Sequence, residues 1–72
     1  MKSTLDIISI VKAGGSVIIN SSKSTLDICS IVKNASSNSQ VIVKNASSKS
    51  TLDLVSIAKA ANGKTVIFDL TE

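Results

Sequence analysis

Three aspartates occupy equivalent places in this 72-residue chain: Asp6, Asp27 and Asp53 each close the phrase Lys-Ser-Thr-Leu-Asp. Carboxylates brought together can exchange protons or hold a divalent cation. An acid–base pair needs two different environments, however, and a phrase used three times supplies one environment three times. Each Asp also follows a serine at the spacing of a helix start: Ser3-x-x-Asp6, Ser24-x-x-Asp27 and Ser50-x-x-Asp53. There the hydroxyl takes an orphan amide of the first turn, and the acid sits at the positive end of the helix dipole. The three aspartates are therefore read as first-turn acids.

The lysines form two rows. Lys2, Lys23 and Lys49 open the repeated segment, and Lys12, Lys33 and Lys59 close it. Such rows can meet phosphate. The chain has no Arg for bidentate contacts and a single aromatic residue, Phe68, for base stacking. Its net charge of +3 is well short of a nucleic-acid footprint. Nucleic acid is not expected as a partner, and a weak nucleic-acid or anionic-surface binder is kept as an alternative. The last-turn lysines are accounted for by the negative end of the helix dipole.

Cys29 is the only cysteine, and there is no His. An intrachain disulfide and the usual zinc sets are both excluded. Cys29 takes the place of Ile8 and Val55 in the other copies, so it is read as a small apolar residue. Gly14-Gly15 carries no phosphate-loop or dinucleotide pattern around it and reads as a helix end and turn. Asn20-Ser21-Ser22, Asn34-Ala35-Ser36 and Asn45-Ala46-Ser47 match the glycosylation sequon, as Ser- and Asn-rich turns do by composition. No nucleophile has a base with an orienting partner. No catalytic, cofactor-binding or metal residues are assigned, and the chain is read as not an enzyme.

The elements that position these residues follow from the repeat. After Lys-Ser-Thr-Leu-Asp each copy continues with an apolar pair, Ser, an apolar pair and Lys: IISIVK, ICSIVK and LVSIAK. At about 100° per residue the apolar pairs share one side of a helix. A polar gap follows, then a β-branched run: Val17-Ile18-Ile19, Val41-Ile42-Val43 and Val66-Ile67-Phe68, each a short strand. The units are 2–22, 23–48 and 49–72, in one domain. Joined helix–strand units give parallel strand pairs. The expected fold is α/β: a short, curved solenoid with a three-stranded parallel sheet. It is similar in principle to the α/β solenoids, although the Asn-anchored consensus of leucine-rich repeats is absent. An all-β solenoid is the structural alternative, because Ile and Val favour strands.

Both faces of such a sheet are apolar, and one helix per strand, all crossing with one hand, covers one of them. The other is an uncovered patch of the kind that marks interaction sites. The expected interface is Val17, Ile19, Val41, Val43, Val66 and Phe68. A chain this small buries only about 60% of its unfolded surface, so association is an expected source of stability. A homo-oligomer is anticipated, with a dimer favoured, or else a protein partner. End-to-end stacking is the second form, with Asp69, Thr71 and Glu72 discouraging it at one end. No run approaches the length of a membrane span. Asp6 interrupts the only early apolar segment, and a lone cysteine suits a reducing compartment, so a cytoplasmic protein is expected. An engineered or fragmentary repeat array with no function of its own is the remaining alternative.

Overall fold

The computed structural model describes residues 2–71. The elements alternate: α1 (Thr4–Lys12), β1 (Val17–Asn20), α2 (Thr25–Asn34), β2 (Gln40–Lys44), a 3-10 turn at Ala46–Ser48, α3 (Thr51–Ala61) and β3 (Thr65–Phe68). This is a small α/β fold with three helices and a three-stranded parallel sheet.

Each helix begins as its sequence dictates. Ser3, Ser24 and Ser50 are extended, and each hydroxyl accepts the amide of the Asp three residues on, at 3.1 Å in every case. Replacing any one of them by Ala is expected to lower stability by about 1 kcal/mol, read by urea unfolding. A negligible loss at all three would contradict the capping role.

The helices end in three ways. At α1, Gly14 adopts φ +101°, its N–H donates to the Val11 carbonyl, and the Gly15 N–H reaches back to Ile10. Those two bonds make a Schellman end, for which Gly is favoured because it bears no Cβ. At α3 the left-handed residues are Asn62 and Gly63. At α2 the chain leaves extended at Ala35, and the Lys64 ammonium instead donates to the Lys33 carbonyl at 2.6 Å. The loop before β2 also serves α1. The Ser36 amide and the buried Ser39 hydroxyl donate to the Val11 carbonyl at 3.0 and 2.8 Å. Orphan carbonyls of one helix are thus satisfied by the next segment of chain.

The strands lie in sequence order, all parallel, with Val17–Val41–Val66, Ile18–Ile42–Ile67 and Ile19–Val43–Phe68 in register. The molecule is 20 Å through its thinnest dimension, which fits one layer of helices on one sheet, each layer about 10 Å deep. The core between the layers includes Val11, Ile28, Ile31, Val41, Val43 and Ile57.

That core corrects one expectation. Val17, Ile19, Val41, Val43, Val66 and Phe68 do not lie on the open face; they are the sheet's contribution to the core, or pack against it. The helices cover the face that carries two apolar side chains per strand and leave the face that carries one. Hydrophobic stabilisation scales with apolar area removed from water, so the richer face is the one buried.

Candidate interaction surface

The open face is a single apolar row, Ile18–Ile42–Ile67, in register across the sheet. The outer two are well exposed, and Ile42, flanked by both, is half-buried. Polar residues border the row on both sides. On one side Gln40 pairs with Thr65, and the Gln40 amide donates to the Ser16 hydroxyl at 3.0 Å. On the other, Asn20 pairs with Lys44, and the Lys44 ammonium lies 4.0 Å from the Asp69 carboxylate. Asp69 also accepts from the Thr71 hydroxyl and amide, and these bonds, with Lys44 behind them, hold its carboxyl below the usual range. A depressed carboxyl adds stability above its unfolded pKa and loses it as pH falls through the folded one. At this exposed rim the contribution is small.

A second apolar feature lies on the helix layer. Leu5, Leu26 and Leu52, one in the first turn of each helix, are 76, 81 and 79% exposed. Three sequence-equivalent leucines are thus left in water, one at each helix start.

The polar rows are placed as follows. Lys12, Lys33 and Lys59 are exposed in the last turns. Lys23 and Lys49 reach back to the preceding helix, donating to Thr4 Oγ1 at 3.3 Å and Thr25 Oγ1 at 3.1 Å. Thr4 in turn donates to Asp27 at 3.3 Å. The opening lysines therefore tie neighbouring helices together, a role missed in the sequence although every copy carries the Lys-Ser-Thr that performs it. The exposed leucines were missed too; their signal was an apolar residue recurring beside Asp at the polar start of each helix. Cys29 is a half-buried free thiol packed against the core. Among the described residues no three His, Cys, Asp or Glu side chains gather where a metal could be held, and no helix is long and apolar enough to cross a membrane.

A cleft of about 290 Å³ opens at the β1 edge, where Lys2, Ile7, Ile10, Val17, Ile19 and Lys23 contribute to its lining. Asn20 and Ser22 add polar groups to walls that are otherwise apolar apart from the two lysines. No family model, no curated protein and no solved structure matches this chain.

Proposed function

We propose that the chain is a non-catalytic structural and interaction module, a short repeat solenoid that binds protein, a second copy of itself included, through the open sheet face. The observation that supports this is the in-register Ile18–Ile42–Ile67 row, which no helix covers and which leaves Ile18 66% exposed. The row has the anatomy of a small interface, an apolar centre within a polar rim. In a two-fold dimer the two sheets would face each other about 10 Å apart, burying the same row twice. A cytoplasmic setting belongs to the same proposal.

Ile42→Lys places a charge at the centre of that contact. It is expected to lower the native mass by removing the sheet-face contact, with helical content unchanged, measured by light scattering and circular dichroism. A variant that keeps the wild-type mass overturns the sheet-face reading. Binding to anionic surfaces is less favoured, because Lys23 and Lys49 are engaged with Thr4 and Thr25.

A further inference from the structure

The three copies of the sequence phrase are nearly identical, yet their environments differ in a directional way. Ile10, Ile31 and Ile57 are equivalent positions; Ile31 and Ile57 are 0% exposed, whereas Ile10 is 40% exposed. Val11, Val32 and Ala58 are also equivalent, and here the first two are buried while Ala58 is exposed. Ile8 and Cys29 are half-buried, whereas Val55 is exposed. One side of each helix is thus covered only where a helix precedes it, and the other only where a helix follows.

The polar contacts follow the same direction. Lys23 donates to Thr4 and Lys49 to Thr25. Among the described residues Lys2 then has no threonine to reach and Thr51 has no lysine. The outer edges of β1 and β3 are unpaired at the two ends of the sheet order. An unpaired edge is a template for another strand.

We infer that the two ends are complementary and that a second copy of this chain stacks head to tail, its α1–β1 edge on the α3–β3 edge of the first. This contact lies away from the open sheet face and repeats the junction the chain already makes twice internally. Lys2 of one copy would donate to Thr51 of the next. Ile10 would be buried against the side of α3 that carries Val55 and Ala58. β1 would pair in parallel with β3, extending the isoleucine row from Ile67 to Ile18. Of the residues expected to guard this end, Glu72 lies outside the described residues and Asp69 does not face outward. Asp69 is turned back onto Thr71 and Lys44, and its carbonyl accepts the Ala46 amide.

Such a contact is heterologous, so each copy keeps one free end after pairing. That gives a test which an isologous dimer cannot mimic. Ile10→Lys blocks the leading end and Ala58→Lys the trailing end; both positions are exposed, so both variants retain the fold, checked by circular dichroism. The two end variants are made in an Ile42→Lys background, which removes the sheet-face contact. In sedimentation equilibrium the Ile42→Lys chain is expected to grow with concentration, and each end variant in that background to stay monomeric alone. An equimolar mixture of the two is expected to form a one-to-one pair and nothing larger. An Ile42→Lys chain that stays monomeric, an end variant in that background that still assembles alone, or a mixture that fails to pair would overturn the inference. Assembly lost in Ile42→Lys but kept in Ile10→Lys and Ala58→Lys with Ile42 in place would overturn the stacking while leaving the sheet-face reading intact.

Discussion

Ile31→Ala is expected to lower the unfolding free energy by about 2–5 kcal/mol, the range for truncating a buried aliphatic side chain and leaving its cavity. The same substitution at Ile10 is expected to cost about 1 kcal/mol, in proportion to the apolar area it keeps from water. The two residues stand in identical sequence surroundings, between Ser and Val; only their burial differs. A core of this size supplies about 3–5 kcal/mol in total. Ile31→Ala should therefore be largely unfolded without denaturant, and Ile10→Ala should still unfold cooperatively. Urea unfolding followed by circular dichroism reads both, at a concentration where the chain is monomeric. Equal losses at the two positions would contradict the packing of α2 between its neighbours.

Gly15→Ala carries the second large effect. A Cβ at Gly15 would stand 2.7 Å from Ile10 Cγ2 and 3.1 Å from the Ile10 carbonyl oxygen. The backbone there is held by the Gly15 N–H bond to that same carbonyl, so the side chain or the turn has to move. Overpacking of this kind costs about 1–3 kcal/mol. The cause is testable by a double-mutant cycle, since neighbouring residues in contact are not additive. In an Ile10→Ala background Cγ2 is gone, and the penalty at Gly15 should shrink. An undiminished penalty would place the strain in the backbone alone. At Gly63 nothing lies within 4 Å of an added Cβ, but φ is +88°, so Ala there meets only the conformational penalty, about 1 kcal/mol.

Much of the fold was legible because the chain states it three times. The serine caps, the helix starts at Thr4, Thr25 and Thr51 and the glycine end of α1 follow from local chemistry, which sequence carries directly. The sheet register follows from aligning the three β-branched runs, since neighbouring strands place equivalent residues side by side. The covered face of the sheet was assigned the wrong way round. Period-two alternation shows that both faces are apolar but does not say which one a helix takes; counting two apolar side chains against one per strand would have pointed to the right face. The capping of Val11 by Ser36 and Ser39 lay beyond sequence reasoning, because it falls in the gap where the copies differ and joins segments distant along the chain. The 3-10 turn at Ala46–Ser48 falls in a gap of the same kind. The contrast between Ile10 and Ile31 was hidden for the opposite reason. Their local sequences agree, and only the presence or absence of a preceding helix separates them.

The repeat itself suits a surface more than a pocket. Equivalent side chains recur in rows: isoleucines on the sheet, leucines and lysines along the helices, aspartates in the first turns. On the proposed reading, rows that present one chemistry over an extended line suit contact with another polypeptide.

The measurement that bears most directly on this account is the native mass of the wild-type chain by light scattering, across a concentration series at low and high salt. Association through apolar rows and strand edges predicts a mass above 7.4 kDa that rises with concentration and is insensitive to salt. A mass of 7.4 kDa at every concentration would contradict it, and assembly that dissolved steeply with salt would move the contact from the isoleucines to the lysine rows.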